Sequence, residues 1–466
     1  MAEKERNDDN TSKSEGKPGH GKRILLRTFG CQMNVYDSQV AAGLLEKAGF
    51  EVIREPESTG DPKGPLSGGA DVVIMNTCSV RDHAEQRVWG RLGMLGVEKK
   101  ERPDLILGLM GCMVEEHGDR LFKRFPQLDF LIGTRNVRDL PTIIGDVGKN
   151  RAQAAAIGKS GISIEYSEFT KRDSPFHAWL PVMTGCDKEC TFCIVPKTRG
   201  AEVSVPADKV VREAERLVSG GVKWITLLGQ NVNSYIGSEK GNSFPGLLEM
   251  LCHIGDLERI SFTTSHPSDA TEELFQVIAK NPKISRRFHL PLQSGSDKIL
   301  KRMKRYHTYG EYTAKINRLR ELVPDVSITT DIIVGFSGET EEDYLATKRS
   351  LEEIRFDGAF IYKYSVRPGT PAEKLPDDVS PGDKALRNNE LLAIQRTITD
   401  EKNRKNLGKV VSAFVEEAHP ERKGEWFART DQDRRIVFPS LADLRGKFVR
   451  LRVIALRHET FLGEVV

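Results

Sequence analysis

The chain has 466 residues, of which 38% are hydrophobic and 29% are charged, and its formal net charge is only +3. This balance is typical of a water-soluble chain with two to four domains. It excludes a bundle of transmembrane helices, because no apolar run reaches the roughly 18 residues that one span needs, and it leaves any nucleic-acid binding to local basic patches.

The N-terminal tail and the cysteine count both indicate the cellular compartment. Residues 1–21 carry many charges and several glycines but no apolar segment like that of a signal peptide. We therefore predict a disordered tail over these residues and a cytoplasmic location. The chain has seven cysteines. An odd number in such a chain argues against a disulfide framework and favours metal or redox chemistry.

Residues 22–148 alternate strand-like and helix-like patterns, which predicts an open parallel α/β domain. The strands are expected at Arg23–Thr28, Asp71–Met75, Leu105–Met110 and Leu128–Ile132. Cys31, Cys78 and Cys112 each lie just beyond one of the first three strands. Because the carboxyl ends of parallel strands meet at one sheet edge, where ligands bind, we expect these thiols to form a metal site. Three unrelated buried thiols are the alternative.

A linker is expected over residues 149–172, and residues 173–404 then resume the alternation of strands and helices. The expected strands are 178–184, 224–229, 259–264, 287–290, 327–334 and 356–364. Six such units predict a partial (β/α)6 barrel rather than the full eightfold one. In such barrels the loops that follow the strands carry the chemistry, so these loops are where we expect the functional residues.

The last domain is expected over residues 405–466, where short strand patterns alternate with turn residues. This arrangement predicts a small all-β barrel. The segment holds 12 lysines and arginines against 9 acidic residues, and Trp426, Phe427 and Phe438 lie among them. Small barrels with basic and aromatic surfaces bind RNA through phosphates and base stacking. A solvated charged face explains the same charges equally well.

Cys186, Cys190 and Cys193 follow the first predicted barrel strand in the spacing CxxxCxxC. Three thiolates at this spacing can hold three irons of a 4Fe-4S cluster and leave the fourth iron open. The amine and carboxylate of an amino acid are suited to chelate that open iron. A structural zinc site usually needs a fourth protein ligand, and the sequence offers only a distant histidine or Cys252. Cys252 itself fits better as an inert thiol in the core of a helix.

Polar side chains at the ends of later strands are suited to orient such a ligand. Gln230 and Asn231 follow the second predicted strand, and Gln293 follows the fourth. Asp331 lies inside the apolar fifth strand, where an unpaired carboxylate is costly. We therefore predict these four residues to bind the cofactor, with a purely structural role for Asp331 as the alternative.

These motifs together resemble the radical S-adenosylmethionine (SAM) methylthiotransferases. The resemblance runs from Arg23 to the C-terminus and rests on the stretches 28–38, 76–81, 111–113, 186–200, 290–296, 331–336 and 364–372. The stretch Gly30-Cys-Gln-Met-Asn34 is similar to the branch that acts on N6-isopentenyladenosine in tRNA. The branches that act on threonylcarbamoyladenosine in tRNA and on a ribosomal protein are alternatives. A non-catalytic, metal-stabilised RNA-binding protein is an alternative of another class.

The resemblance implies an N-terminal methylthiotransferase domain, a radical SAM barrel and a C-terminal TRAM domain. It assigns the CxxxCxxC triplet to the catalytic 4Fe-4S cluster that binds SAM, and the three strand-end cysteines to an auxiliary 4Fe-4S cluster. One SAM is expected to methylate a sulfur atom at the auxiliary cluster. A second is expected to yield the radical that removes hydrogen from C2 of the adenine at position 37, beside the anticodon. The expected partners are the tRNA anticodon loop, SAM and an electron-donor protein, and we expect a monomer.

Three residues depart from the usual pattern of this family. Ser337 stands where proline is common before Gly338, a change that we expect to be mild. Asp433 and Val437 stand where asparagine is common in the TRAM segment. We expect these two substitutions to weaken contacts between the C-terminal barrel and RNA.

Overall fold

A computed structural model describes residue 19 and residues 21–56, 65–79, 82–158, 164, 166–237 and 243–466, with only the backbone of Pro56 and of residues 82–84. The predicted tail therefore lies outside the described residues apart from Gly19 and Gly21. Part of the predicted linker, residues 159–163 and 165, also lies outside them. Within the described ranges, no helix is both long enough and apolar enough to cross a membrane.

The first domain is an open parallel sheet with helices on both faces, as the sequence predicted. Its strands are β1 (Arg23–Thr28), β2 (Glu51–Pro56), β3 (Val72–Thr77), β4 (Ile106–Gly111), β5 (Phe130–Ile132) and β6 (Ala154–Ala156), in the order β2-β1-β3-β4-β5-β6. Its helices are α1 (Gln32–Lys47), α2 (Asp82–Glu101), α3 (Cys112–His117), α4 (Arg120–Arg124) and α5 (Leu140–Asn150). The central strands β3 and β4 are buried at every position because α2 covers one face of the sheet and α1 and α5 cover the other.

Two edge strands of this sheet were missed by the sequence prediction. The segment β2 has charged residues at both ends, and β6 consists of three alanines inside the predicted linker 149–172. Edge strands are only partly buried, and alanine has a low strand propensity, so neither segment carries a strong apolar pattern. Because β6 pairs with β5, the first domain extends beyond residue 148.

The central domain is the expected partial (β/α)6 barrel. Its strands are β7 (His177–Pro181), β8 (Met183–Thr184), β9 (Val203–Ser204), β10 (Trp224–Leu228), β11 (Arg259–Phe262), β12 (Arg287–His289), β13 (Ser327–Val334) and β14 (Gly358–Lys363). Its helices are α6 (Val195–Arg199), α7 (Ala207–Ser219), α8 (Phe244–Cys252), α9 (Glu272–Lys280), α10 (Asp297–Arg302), α11 (Tyr309–Leu322), α12 (Glu341–Ile354) and α13 (Pro381–Arg404).

Six of these strands run parallel in chain order around the barrel. They form the sheets β7-β10-β11 and β12-β13-β14. Two hydrogen bonds join the sheets: the amide of Ile260 donates to Lys283 O at 2.7 Å, and the amide of Ser285 donates to Ile260 O at 2.8 Å. The strands β7 and β14 are the two edges of this arrangement, and the space that the strands enclose is called the lumen below.

The C-terminal domain is a closed barrel of short antiparallel and parallel pairs. Its strands are β15 (Val410–Ala418), β16 (Glu425–Thr430), β17 (Arg435–Pro439), β18 (Phe448–Arg457) and β19 (Thr460–Val465), in the order β15-β16-β17-β19-β18. The prediction of a surface formed by three aromatic residues was wrong for two of them. Trp426 and Phe438 are 9% and 0% exposed and pack inside the barrel. Only Phe427 faces outward, with Arg435 over its ring at 4.7 Å.

The turn between β16 and β17 binds this barrel to the end of the central barrel where the parallel strands begin, which is called the floor below. Asp433 in this turn has a φ of +64° and forms ion pairs with Arg287 and Arg429. Asp431 pairs with Arg259, and its carbonyl accepts a hydrogen bond from another residue of the floor. Arg259 and Arg287 begin β11 and β12, so the turn binds the end of the barrel opposite to the strand-end loops. Asp433 therefore serves the contact between domains, where we had expected an effect on RNA.

A partly buried histidine of the same floor, His177, makes the stability of the barrel depend on pH. The ring of His177 accepts or donates a hydrogen bond with Thr226 Oγ1 at 2.9 Å and packs against Trp179 and Trp224. Burial, helped by the charge of Arg429, lowers its pKa from 6.5 to about 3. Between these two values the unfolded chain binds a proton that the folded chain does not bind, so stability falls as the pH falls through this window.

We predict that His177→Asn makes the chain less sensitive to mild acid. Between about pH 7 and about pH 5 the free energy of unfolding should fall by about 1–2 kcal/mol less in this variant than in the parent chain. Urea denaturation followed by tryptophan fluorescence measures this, because two tryptophans contact the ring. His458→Asn, at an exposed histidine, is the control. An equal acid loss in the His177 variant and the parent would contradict the prediction.

Candidate active site

The three cysteines of the first domain converge at the carboxyl edge of its sheet. Cys31 precedes α1, Cys78 follows β3, and Cys112 is the first residue of α3. The thiols of Cys31 and Cys78 share a hydrogen bond, which lowers the pKa of Cys31 to about 6 against the opposing effect of burial. Gly30 allows this approach: its φ is +130°, and a Cβ added there would lie 2.4 Å from the Cβ of Cys78.

A network of buried amides holds this sheet edge in place. Asn34 Oδ1 accepts hydrogen bonds from both the amide and the thiol of Cys31, each at 3.3 Å. Asn34 Nδ2 donates to Asn76 Oδ1 at 3.1 Å, and Asn76 Nδ2 donates back to the carbonyl of Asn34 at 2.7 Å. Both asparagines are fully buried. The network ties the cysteine that precedes α1 to the end of β3, so the two move as one unit.

A buried arginine from the central domain reaches this cysteine site. Arg199 is the last residue of α6 and is 6% exposed. Its Nη2 lies 2.7 Å from Asp37 Oδ2 on α1, and its guanidinium also forms a hydrogen bond with Cys112. Burial raises the pKa of the Asp37 carboxyl, and Arg199 opposes this rise. The sequence prediction missed Arg199, because nothing in the stretch 193–200 indicates which domain it contacts.

The CxxxCxxC triplet lies in the loop between β8 and α6. Gly185 begins the loop with a φ of +78°, and a Cβ there would lie 1.9 Å from Ala201 O. The amide of Cys186 donates to Gly200 O at 3.2 Å, and the amide of Cys193 donates to Cys190 O at 3.0 Å. Arg305 Nη1 donates to the sulfur of Cys190 at 3.4 Å. These contacts fold the loop that carries the triplet into a compact turn.

The spacing of the sulfur atoms disfavours a single metal ion in either triplet. Three thiolates on one zinc ion at Zn–S of about 2.3 Å would lie about 3.8 Å apart. In neither triplet are all three sulfurs within 4.8 Å of one another. Within the described part of the chain, the one set of three ligand atoms that meets this limit is Glu85, Glu116 and His117. There Arg367 pairs with Glu85 at 3.0 Å, a cation that competes with a metal.

Both cysteine sites border the lumen of the central barrel. Cys31 and Met33 at the start of α1 pack against Leu228 and Trp179, which lie on β10 and β7. The triplet follows the neighbouring strand β8, and Gln230 beyond β10 supports it by accepting a hydrogen bond from the Gly185 amide at 2.6 Å. The two sets of thiols therefore lie on the same end of one barrel.

The four predicted cofactor-binding residues lie around this end of the lumen. Asn231 donates through Nδ2 to Asp269 Oδ2 at 2.6 Å, while its Oδ1 has no partner. Gln293 has a φ of +77°, and its buried Oε1 also has no partner. Asp331 Oδ2 lies 3.3 Å from Nε2 of His289. Gln230 supports the cysteine loop, because its side-chain oxygen accepts the hydrogen bond from the Gly185 amide.

Further buried polar atoms without a partner lie beside them, on residues that were not among the four predicted cofactor-binding residues. They are both side-chain atoms of the Asn233 amide, Ser265 Oγ, His266 Nε2 and Arg305 Nε. Burial, with the nearby Arg305 and Lys188 charges, lowers the pKa of His266, so its ring is neutral. Buried polar atoms are nearly always hydrogen-bonded in proteins. Such a concentration at strand ends therefore fits a polar ligand such as SAM, whose carboxylate, amine and hydroxyl groups satisfy them.

We predict that the ion pair of Arg199 and Asp37 holds the two domains together. Arg199→Gln or Asp37→Asn alone should cost about 3–5 kcal/mol of stability, because each leaves a buried charge unpaired. The double variant should recover most of this loss. Urea denaturation and hydrogen exchange in α1 and α6 measure both effects. Additive losses in the double variant, or single variants as stable as the parent, would contradict the prediction.

Comparison with known proteins agrees with this geometry. A sequence profile described as "Radical SAM superfamily" matches residues 180–351, and one described as "Uncharacterized protein family UPF0004" matches residues 23–133. A relative from Dictyoglomus thermophilum, named tRNA-2-methylthio-N(6)-dimethylallyladenosine synthase, is 41% identical and covers 95% of this chain and 98% of its own. A relative of the same name from Chlorobium luteolum is 40% identical, with 95% and 97% covered.

The solved structures show likeness in fold alone. The radical SAM methyltransferase TsrM from Kitasatospora setae aligns with a TM-score of 0.54 at 15% identity, over 76% of this chain and 75% of that one. At this identity the alignment carries no information about substrate. The curated relatives, by contrast, match nearly the whole chain. The chain belongs to the family of tRNA-2-methylthio-N(6)-dimethylallyladenosine synthases, within the radical SAM superfamily.

Proposed function

We propose that this chain is the transferase that adds a methylthio group to C2 of N6-isopentenyladenosine at position 37 of tRNA. One observation carries the proposal: two separate cysteine triplets border one barrel lumen in a chain that is 41% identical over nearly its whole length to a synthase of this kind. A single triplet would suit many radical SAM reactions. The second triplet fits a reaction that must also deliver sulfur.

Members of this family use SAM and two 4Fe-4S clusters, and the residues present fit these groups. In our proposal Cys186, Cys190 and Cys193 hold the cluster that binds SAM, and the triplet on the first domain holds the auxiliary cluster. When bound, these groups supply the radical and the sulfur that an unactivated aromatic C–H bond requires, since such a carbon has no proton that a side chain can remove.

The protein itself positions these groups and places positive charges beside them. Asn231 and Gln293 present unpartnered oxygens to the lumen and are suited to accept hydrogen bonds from SAM. Arg305, bound to both Cys190 Sγ and Pro291 O, places a positive charge against the thiolates of the triplet. Arg199 does the same for the other triplet. Two fixed cations lower the energetic cost of the negative charge that thiolate-bound clusters carry in a buried site.

The tRNA partner fits the C-terminal barrel by its charge. Exposed arginines of β17 and β18, namely Arg435, Arg450 and Arg452, are suited to contact backbone phosphates. The target adenosine lies in a single-stranded loop, where a base can leave the stack and enter a pocket. We further propose a separate electron-donor protein, because cleavage of SAM consumes an electron from outside the chain. A monomeric state and a cytoplasmic location complete the proposal.

Nucleoside analysis of tRNA tests the substrate. In a bacterial strain that lacks its own enzyme of this kind, expression of the chain should restore 2-methylthio-N6-isopentenyladenosine, and Cys190→Ala should not restore it. Mass spectrometry of tRNA digests measures both. Failure of the parent chain itself to restore any methylthio nucleoside would favour a non-catalytic RNA-binding protein, and restoration by Cys190→Ala would contradict the catalytic role of this triplet. Appearance of the methylthio form of threonylcarbamoyladenosine instead would move the proposal to the other tRNA branch.

Iron analysis tests the cofactors independently of activity. After anaerobic reconstitution the parent chain should bind about eight irons, and a chain with either cysteine triplet replaced by alanine should bind about four. Cys252→Ala is the matched control and should keep about eight, because its thiol lies in a helix away from both sites. Zinc in place of iron, or loss of all iron when one triplet is removed, would contradict the two-cluster reading.

A further inference from the structure

Two large aromatic side chains are exposed on the edge strand β14. Phe360 is 47% exposed and Tyr362 is 36% exposed, although both belong to a strand of the central barrel. Ile361 between them is buried in the outer core against the helices. Because successive residues of a strand point to opposite faces, Phe360 and Tyr362 point into the lumen. Aromatic residues that stay exposed in a concave space are typical of binding sites.

The strand register places these rings beside the polar residues of the candidate active site. Asp331 pairs with Phe360 across β13 and β14, and Ile333 pairs with Tyr362. The ring of His289, which lies 3.3 Å from the Asp331 carboxylate, meets the ring of Phe360 edge to face at a centroid distance of 6.1 Å. The lumen wall at β14 is therefore aromatic and apolar directly next to a polar pair.

The same wall adjoins another residue of the candidate active site through the backbone of β13. The backbone of Gln293, whose oxygen faces the proposed SAM site, exchanges hydrogen bonds with Asp331 O and Ile333 N at 2.8 and 2.9 Å. The first domain reaches over the carboxyl end of β14, where Arg367 pairs with Glu85. Phe360 and Tyr362 therefore line the lumen on the side of its open edge.

We propose that Phe360, with Tyr362, forms the platform that receives the isopentenyl-bearing adenine and sets the specificity for it. This inference rests on the proposed function and names the side chains that recognise its substrate. The flat rings offer a face for base stacking, and the exposed apolar surface of Phe360 suits the branched hydrocarbon on N6. The neighbouring His289 and Asp331 offer hydrogen-bonding groups to the edge of the base.

The chemistry of the wall favours a prenylated base over the alternatives. The threonylcarbamoyl group carries a carboxylate, which would lie close to the Asp331 carboxylate and be repelled by it. An unmodified adenine would stack on Phe360 but would leave apolar surface in water. The prenyl group removes that surface from water, a gain that grows with the apolar area covered.

Steady-state kinetics of Phe360→Ala with two tRNA substrates tests the inference. One substrate carries isopentenyladenosine at position 37 and the other carries unmodified adenosine. Loss of one stacking platform should weaken binding of the prenylated tRNA about 10-fold to 100-fold. The preference for the prenylated over the unmodified tRNA, expressed as a ratio of kcat/KM, should fall at least about 10-fold. Phe360→Leu keeps the apolar surface without stacking and should lose less of the preference.

The controls separate this role from a structural one. Phe169→Ala removes an exposed aromatic ring from the segment that precedes the central barrel, and it should leave kcat/KM for both tRNAs unchanged. Iron content and the midpoint of urea denaturation should be the same in Phe360→Ala and the parent chain. If the Phe360→Ala variant keeps the parent's preference between the two tRNAs, the inference is wrong. If the parent chain itself does not modify the prenylated tRNA, the proposed function fails instead, whatever Phe360 does.

Discussion

The buried ion pair between Arg199 and Asp37 is the contact on which the arrangement of the two cysteine sites depends. Arg199 ends the short helix that follows the CxxxCxxC triplet, and Asp37 lies on the helix that follows Cys31. A charge pair buried at 2.7 Å tolerates little displacement, because either partner alone would be left in a medium of low dielectric. The pair therefore fixes the distance between a site suited to generate a radical and a site suited to supply sulfur.

Near this contact, some buried polar side chains are paired with each other, whereas several at the strand ends of the central barrel have atoms without partners that a ligand can use. Asn34 and Asn76 complete their hydrogen bonds with each other behind the first cysteine site. At the strand ends of the central barrel, Asn231, Gln293 and Arg305 keep buried atoms without partners. Gln293 also holds a backbone conformation with positive φ, which costs energy in a residue other than glycine. Such costs are typical of binding sites, where a ligand repays them.

The elements with strong apolar periodicity could be predicted from the sequence, and the contacts between domains could not. The strands β1, β10 and β13 lie where the pattern placed them, because buried parallel strands read as continuous apolar runs. The edge strand β6 was not predicted, because three half-exposed alanines do not form an apolar run.

The convergence of Cys31, Cys78 and Cys112 could be predicted because sheet topology alone brings strand ends together. The role of Arg199 could not, since its partner lies 162 positions earlier in the chain. The aromatic wall of β14 could not be predicted from the sequence either. Phe360 and Tyr362 look like ordinary strand residues in the sequence, and only the structure shows that they stay exposed at the open edge of the barrel. Trp426 was likewise expected on the surface, but its side chain packs in the core of the closed C-terminal barrel.

Anomalous diffraction at the iron absorption edge, from crystals of the anaerobically reconstituted chain, would locate the irons directly. We expect two separate iron peaks that border one lumen, one beside Arg199 and the other beside Arg305, each surrounded by three cysteine sulfurs. A single iron site would contradict it. Two sites that open onto different surfaces of the molecule would contradict it equally, because sulfur and radical would then have no common space in which to meet the base.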